Sequence, residues 1–416
     1  MIEIKDKNYV EFTKEMKDEY TILAPTMLPI HFNMFSRMMA TQGYKLEFYE
    51  GDVSSALNEG LRSVHNDMCF PALIVVGQML HALKSGEYDP NKTALVLSQT
   101  GGGCRASNYI PMLRRALKEN GFEQVPVISV NQGGETHSGL VLTPDFLLQV
   151  AYAILYADFI MYISNQCRPY EINKGDTEKA IEEATELVLD SLENKKYLKT
   201  KVLYTELIEI FNNIEKSDEK KPRVGIMGEI FMKYSPIGNN HLEEFLLSEG
   251  CEVVVPGIMD FCLYCLNDAK MNKTLYGISD MSAGVKLMMT NLIEGMQKTM
   301  ISVIKSKSNF TAPASFKHLK ELVNGYISEG MVMGEGWLVT AEMLEFIDIG
   351  VNNIVCAQPF GCLPNHIVGK GMNRKILSNH PEANIVTIDY DPSSSKVNQE
   401  NRIKLMLGRA KMAELF

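Results

Sequence analysis

The residues of this chain most capable of chemistry are its cysteines. Eight occur among 416 residues, namely Cys69, Cys104, Cys167, Cys251, Cys262, Cys265, Cys356 and Cys362. Their density is far below that of a disulfide-stabilised scaffold, and clustered cysteines in a large intracellular chain more often bind metal or serve redox chemistry. The common alternative for any single cysteine is the role of a small buried hydrophobic residue.

Most of these cysteines stand where a predicted strand ends or a predicted helix begins. The cysteines in such positions are Cys69, Cys104, Cys265, Cys356 and Cys362. Binding sites of open parallel sheets lie beyond the carboxyl ends of the strands, and helix N-termini favour a thiolate through unpaired N–H groups and a partial positive charge. These positions therefore predict ligands of an anionic cluster. Cys251 instead opens a predicted strand at the opposite edge, where we expect a structural role.

The glycines before Cys104 support a cluster rather than a phosphate site. Three glycines in QTGGGCRASN (99–108) allow the backbone to approach a bulky ligand and to turn N–H groups toward sulfur or phosphate. A phosphate-binding P-loop would need G-x-x-x-x-G-K-[ST], which does not occur in the chain.

The spacing of the cysteines favours iron and sulfide over zinc. Structural zinc usually takes close C-x-x-C pairs matched by a second pair or by histidines, but the single such pair here, Cys262 and Cys265, has no match. A four-iron cluster needs about four thiolates. The seven plausible thiolates of this chain could therefore bind an iron–sulfur cluster larger than a four-iron cluster, or two clusters.

Strand-like apolar runs alternate with amphipathic stretches along both halves of the chain, which predicts an α/β fold with parallel sheets. The predicted strands are residues 20–25, 45–50, 93–99, 125–130, 223–231, 251–257, 353–358 and 383–391. The predicted helices are residues 30–42, 54–65, a helix that begins near Cys69, residues 107–121, a long helical segment from 143 to 215, and residues 239–250, 282–305, 315–327, 364–379 and 396–412.

A polar run, EKSDEKKP (215–222), separates two halves of similar architecture. It predicts an N-terminal α/β domain with a long helical segment over residues 1–218 and a C-terminal α/β domain over residues 219–416. A chain of this length is too long for one compact core.

The composition excludes some classes of partner. The net charge of −10 and the absence of a dense lysine or arginine run argue against nucleic acid. The most membrane-like stretch, residues 142–163, is interrupted by Asp145, Gln149 and Asp158 and is expected to be a buried helix. The charged N-terminus has no apolar signal segment, so we expect a cytoplasmic protein without a membrane partner.

Seven blocks of the sequence carry a family resemblance. They are NDMCFPALIVVGQMLHALKSG, LSQTGGGCRASNYIPMLRRAL, RPYE, VGIMGEIF, GEGWLVTAEM, CAQPFGCLPNHIVGKG and IDYDPSSSKVNQENRIKLML. Together they resemble the 2-hydroxyacyl-CoA dehydratase superfamily, and most closely its branch of CoA-enzyme-activase-related and double-cubane cluster proteins. The resemblance extends from about residue 20 to residue 412.

This resemblance implies two Rossmann-like domains with parallel sheets, a helical connecting segment and an iron–sulfur cluster. In the double-cubane branch, two four-iron cubanes share a bridging sulfide, giving an [8Fe-9S] cluster with three cysteines on each cubane. The motif positions that carry over are Cys69, Cys104, Cys265, Cys356 and Cys362. For the sixth ligand, symmetry between the halves favours Cys167 beside RPYE, with Cys262 as the alternative.

The implied function is ATP-dependent, low-potential reduction of a small molecule by an anaerobic enzyme. A separate ATP-hydrolysing iron–sulfur reductase, or activator, would supply the electrons, and the family suggests a homodimer. One alternative is a subunit of a 2-hydroxyacyl-CoA dehydratase, a lyase with a [4Fe-4S] cluster. Another is a non-catalytic electron-transfer or cluster-carrying protein.

Several charged residues belong to the same blocks and could bind substrate or move protons. They are Arg105, Arg168, Glu171, Glu229, Glu335 and His366. For each of them a salt bridge or a helix cap is the more common role, so the sequence assigns no catalytic residue.

Overall fold

The computed structural model describes residues 9–65, 67–99, 103–131, 139–278 and 281–413. The chain divides into two compact units, each with a sheet of its own. The first unit comprises the chain up to Thr143 with Tyr234–Asn240 and Pro359–Cys362, and the second comprises Pro144–Lys233, His241–Gln358 and the chain from Leu363 onward.

The first unit is built on a four-stranded parallel sheet of order β2-β1-β3-β4. Its strands are β1 (Thr21–Pro25), β2 (Lys45–Tyr49), β3 (Thr93–Gln99) and β4 (Val127–Asn131). Its helices are α1 (Pro29–Thr41), α2 (Val53–Ser63), α3 (Phe70–Lys84) and α4 (Tyr109–Glu119), with short 3₁₀ turns at Glu15–Asp18, Pro90–Lys92 and Arg105–Asn108. The strand order reverses between β1 and β3, the position at which open α/β sheets bind ligands.

Helix α3 is apolar on nearly every face and is buried almost completely, as expected for a helix without a polar stripe. It crosses α2 at very short range. A Cβ atom at Gly60 would lie 2.1 Å from the carbonyl oxygen of Leu73, and one at Gly77 would lie 1.8 Å from that of Ala56. Only glycine fits at these two contacts, and the tight crossing fixes the N-terminus of α3, where Cys69 lies.

The second unit repeats this architecture with a parallel sheet of order β6-β5-β7-β8. Its strands are β5 (Arg223–Gly228), β6 (Glu252–Val254), β7 (Asn353–Pro359) and β8 (Asn384–Tyr390). Its longer helices are α5 (Pro144–Cys167), α6 (Asp176–Glu193), α7 (Thr200–Asn212), α10 (Ile258–Tyr276), α11 (Ala283–Lys307), α13 (Trp337–Asp348) and α16 (Lys396–Ala413). The shorter ones are α8 (Ile230–Tyr234), α9 (Leu242–Ser248), α12 (Phe316–Leu322), α14 (Leu363–Val368) and α15 (Asn373–Asn379), with a 3₁₀ turn at Lys370–Met372. The last residue of α8, Tyr234, belongs to the first unit.

Helix α5 is the one helix of the described residues that is long and apolar enough to cross a membrane by length and composition. Most of it is buried in the second unit, where it packs on α6, α7 and α10. The buried Asp158 accepts hydrogen bonds from the backbone N–H groups of Ile258 and Met259, both at 3.0 Å. This carboxylate therefore caps the start of α10, which explains a polar residue in an apolar helix.

The α/β class and all eight strands agree with the sequence analysis, with boundaries that move by at most three residues. Helices α10 and α13 were not predicted. The polar run 215–222, the predicted domain boundary, lies inside the second unit between α7 and β5. Helices α5 to α7 belong to the second unit, although the sequence analysis groups them with the first half of the chain.

Candidate functional site

Cys69 lies at the N-terminus of α3, immediately before its first helical residue. Its side chain is 5% exposed, and its Sγ lies 3.3 Å from the hydroxyl oxygen of Tyr109 at the start of α4. Fifteen residues of buried helix direct a partial positive charge toward this sulfur. The position therefore favours the thiolate over the thiol.

Cys362 belongs to the first unit together with Cys69, although β7, which precedes it, belongs to the second. The backbone N–H of Phe70 donates a hydrogen bond to the carbonyl oxygen of Phe360 at 3.0 Å. Between them, Gly361 has a φ of +76°, and a Cβ there would lie 3.2 Å from the Cα of Cys69. The backbone of residues 360–362 thus lies directly against the Cys69 turn.

Cys104 lies at the start of the 3₁₀ turn that leads into α4. The hydroxyl of Ser107 donates to the carbonyl oxygen of Cys104 at 2.7 Å, which holds the turn closed. The neighbouring Arg105 places Nη1 3.3 Å from the Sδ of Met68, the residue before Cys69. The predicted glycine loop lies outside the described residues at positions 101 and 102.

In the first unit, the segment of Cys104 and the segment of Cys362 thus each contact the segment of Cys69. Among the described residues, no three His, Cys, Asp or Glu side chains are grouped to hold a metal ion. A four-iron cluster is much wider than one ion, so its thiolate ligands stand further apart. A set of soft sulfur donors at helix starts fits iron and sulfide better than a hard divalent cation.

Cys356 has different surroundings from these three. The sequence analysis counts it among the cysteines at strand ends, but β7 continues for three residues beyond it to Pro359, so Cys356 lies within the strand. Its side chain is fully buried in an apolar core with Met227, Met343 and Val368. Burial raises the pKa of its thiol to about 12. The ligand role expected for Cys356 stays a prediction.

Cys167 is the last residue of α5 and is fully buried. Burial raises the pKa of its thiol to about 12, and its Sγ lies 4.0 Å from the carbonyl oxygen of Phe211. A helix C-terminus carries a partial negative charge that further disfavours a thiolate. The ligand role expected for Cys167 therefore stays a prediction.

Cys262 and Cys265 lie within α10, where the sequence analysis predicts no helix. Both keep some exposed surface, although desolvation still raises the pKa of the Cys262 thiol to about 12. The i, i+3 spacing puts the two sulfurs near the same face of the helix. Cys251 is fully buried and immediately precedes β6, in agreement with the structural role expected for it.

Two of the charged motif residues have structural partners. Arg168 forms an ion pair with Glu178 at 2.8 Å. The carboxylate of Glu171 accepts hydrogen bonds from the N–H groups of Gly175 and Thr177 at 2.9 and 2.8 Å. Both residues therefore stabilise the start of α6.

Two other motif residues, the partly exposed Glu229 and the buried Glu335, form an acidic pair at the start of α8. Glu229 accepts a hydrogen bond from the N–H of Met232 at 2.9 Å, and Glu335 accepts one from the N–H of Ile230 at 3.0 Å. Burial, followed by repulsion from Glu335, raises the pKa of Glu229 to about 8. Burial also raises the pKa of Glu335.

The acidic pair adjoins a larger buried charge cluster. Lys233 on α8 forms a 2.7 Å ion pair with Glu342 on α13, and both side chains are almost fully buried. Burial raises the pKa of Glu342, and it raises that of Glu345, one turn along the helix, to about 7. Near neutral pH this part of the second unit therefore holds protons on carboxyl groups.

Sequence reasoning missed Tyr109, which contacts the Cys69 sulfur, and also Gln358 and Asp389 beside His366. The strand-end rule could have found the last two, because each is the penultimate residue of a strand. No sequence signal points to Tyr109.

No protein-family model matches the chain, and no curated protein matches it.

Proposed function

We propose that the protein is an iron–sulfur reductase in which the thiolates of Cys69, Cys104 and Cys362 bind the cluster. Electrons would come from a separate ATP-hydrolysing iron–sulfur reductase and would reduce a small molecule at low potential. The observation that carries the proposal is that the segments of Cys104 and Cys362 both contact the segment of Cys69 in the first unit.

The residues around these thiols have the properties that such a cofactor needs. When bound, an iron–sulfur cluster supplies one-electron transfer at a potential set by its charge, hydrogen bonds and exposure to solvent. Tyr109 can donate its hydroxyl proton to the Cys69 sulfur, and the N-terminus of α3 stabilises negative charge there. The burial of Cys69 and Cys362 keeps water away from two of the three sulfurs.

The type of cluster can be read from the iron content. We favour a double-cubane [8Fe-9S] cluster, which predicts about eight irons per chain. By the motif resemblance, the further ligands are Cys265 and Cys356, with Cys167 or Cys262 as the sixth.

One observation favours the alternative of a 2-hydroxyacyl-CoA dehydratase subunit with a [4Fe-4S] cluster. The segments of Cys104 and Cys362 both contact that of Cys69 within a single unit, and the three cysteines nearly complete the set that one cubane needs. Four irons per chain and a co-purifying, different subunit would support this alternative. Electron uptake with no turnover of any acceptor would instead indicate a cluster-carrying protein.

The test is iron and sulfide analysis of protein purified without oxygen, comparing Cys104→Ser with Cys251→Ser. The Cys104→Ser variant should lose about half of the iron or more and much of the brown absorbance, because a cubane ligand is removed. The Cys251→Ser variant should keep its iron, since Cys251 is buried beside β6. Full iron retention in Cys104→Ser, or a colourless wild-type protein, would refute the proposal.

A further inference from the structure

Four carboxyl groups of the second unit follow one another along α13 and the start of α8. Glu345 and Glu342 stand one turn apart on α13, and Glu335 lies just before the first residue of that helix. Glu229 lies just before the first residue of α8. The first three side chains are buried and Glu229 is partly exposed. The four groups therefore extend from one end of α13 to the other.

This row of carboxyl groups connects the two edges of the second sheet. Glu229 directly follows β5 and therefore lies at the carboxyl edge. At the amino edge, Glu345 lines a cavity of about 30 Å³ together with Arg223, the first residue of β5. A cavity of this size can hold a water molecule. A wider surface cleft of about 1050 Å³ shares Gln166 and Arg223 with the cavity, which gives solvent a path toward Glu345.

One oxygen atom in the middle of the row is free to receive a proton. Glu345 accepts a hydrogen bond from the N–H of Ala314 at 2.7 Å, and Oε1 of Glu342 accepts one from Lys233 at 2.7 Å. The other oxygen of Glu342, Oε2, is buried without a hydrogen-bond partner among the residues that the structure describes. Leaving such an acceptor unsatisfied costs free energy, and a proton from a neighbouring carboxyl group would satisfy it.

Lys233 is shared by all four carboxyl groups. Its charge lowers the pKa of each of them, but burial outweighs this effect and every one of these pKa values is raised. One ammonium group can neutralise one buried carboxylate, so the other groups hold protons near neutral pH. Asp260 on α10 and His318 on α12 also act on Glu345, the first by repulsion and the second by attraction.

We propose that Glu345, Glu342, Glu335 and Glu229 form a proton relay through the second unit, from solvent at its amino edge to a reduction at its carboxyl edge. Open α/β sheets bind their ligands at the carboxyl edge. The inference rests on the proposed function for its electrons, and it adds the route by which the matching protons arrive.

Each transfer balances one proton against one electron. An acceptor that gains an electron becomes more basic and takes the proton of Glu229, whose O–H bond breaks as the bond to the acceptor forms. Glu335 then returns a proton to Glu229, Glu342 to Glu335 and Glu345 to Glu342, directly or through a water molecule. Solvent at the amino edge replaces the proton of Glu345, and the separate reductase supplies the electron.

The two ends of the row are suited to giving and taking protons. Burial raises the pKa of Glu345 to about 7 and that of Glu229 to about 8. A group whose pKa lies near the working pH transfers protons in both directions efficiently.

The first test needs no cluster and uses infrared spectra of the full-length chain near pH 6, where protonated carboxyl groups give their own C=O bands. Glu229→Gln, Glu335→Gln and Glu345→Gln should each remove one band, since glutamine imitates the protonated group in shape and charge. In heavy water the wild-type bands should shift as fast as solvent is exchanged. In the double variant Glu229→Gln/Glu345→Gln both ends are blocked, so the Glu335 band should shift at least tenfold more slowly.

The second test measures turnover with titanium(III) citrate as electron donor and a panel of acyl thioesters and small nitrogen compounds as acceptors. With the acceptor that the wild type reduces fastest, Glu345→Gln should lower the rate at least tenfold. Iron content, cluster reduction and the KM for the acceptor should stay unchanged, and the ratio of rates in light and heavy water should rise. Glu244→Gln, which removes an exposed carboxylate of α9, should behave as the wild type.

Three results would overturn the relay. They are an unimpaired Glu345→Gln variant, carboxylate bands in place of the protonated ones near pH 6, and equally fast exchange in the double variant. Failure of the proposed function is distinguishable, because it would appear as missing iron or missing turnover in the wild type. The infrared exchange would then still decide whether the proton path exists.

Discussion

At the scale of single residues, hydrogen bonding and burial divide the cysteines more sharply than their spacing does. Cys69 and Cys356 both lie near strand ends or helix starts in the sequence, yet one contacts a tyrosine hydroxyl at a helix N-terminus and the other is enclosed by apolar side chains. Position along the chain predicts which edge of a sheet a cysteine approaches. It does not predict whether the side chain points into the core.

The hydroxyl of Tyr109 should tune the proposed cluster through the Cys69 sulfur. Tyr109→Phe removes a hydrogen bond worth about 1 kcal/mol, and more if the sulfur is charged. Because that bond stabilises the more negative, reduced state more strongly, the reduction potential of the variant should fall. The measurement is a redox titration followed by EPR at constant iron content.

Tyr88→Phe is the matched control for this substitution, because it removes the 3.1 Å hydrogen bond to Glu47 in the same unit. Its potential should equal that of the wild type. Equal potentials in both variants would argue against a role of Tyr109 in tuning.

At the scale of elements, sequence periodicity predicts the strands well and two buried helices poorly. All eight strands were expected, because short apolar runs bounded by glycine or proline are a strong signal. Helix α13 has buried residues on every face, so its sequence shows no polar stripe. Helix α10 is capped by Asp158 from α5, a partner more than ninety residues away that no local pattern reveals.

The turn at Gly361 should link folding to the proposed site. Gly361→Ala adds backbone strain at a φ of +76° and brings a Cβ within 3.2 Å of the Cys69 backbone. We expect a loss of about 1 to 3 kcal/mol in unfolding free energy together with a lower iron content. Urea unfolding and iron analysis measure the two effects.

Gly350→Ala provides the comparison, because Gly350 has a similar φ of +78° but no atom within 4 Å of the added Cβ. It should lose stability through strain alone and keep its iron. If both variants retained full iron, the close approach of residues 360–362 to Cys69 would have no bearing on the site.

At the scale of the whole molecule, the parallel architecture of the two units was predictable, but the assignment of chain segments to them was not. The polar run 215–222 is a sound boundary signal by composition, yet helices α5 to α7 pack with the second unit. Residues 359–362 belong to the first unit, although the strand that leads into them belongs to the second. Long-range packing of apolar helix faces decides such membership, and composition carries no information about it.

The buried carboxyl groups of the second unit should make the stability of the chain depend on pH. Burial raises the pKa of Glu229 from 4.5 to about 8, so between these values the folded chain holds a proton that the unfolded chain has released. Its contribution to stability is therefore complete below pH 4.5 and is lost as the pH rises toward 8, by at most about 1.4 kcal/mol per pH unit for one proton. Glu229→Gln imitates the protonated state and should flatten this dependence.

Urea unfolding of wild type and Glu229→Gln at several pH values from 5 to 8.5 measures the slope. Glu119→Gln removes an exposed carboxylate of the first unit and should leave the slope as it is in the wild type. Equal slopes in the wild type and Glu229→Gln would show that Glu229 is ionised in the folded chain. In that case Lys233 would have to neutralise Glu229 as well as Glu342, and the buried cluster would hold fewer protons than its burial implies.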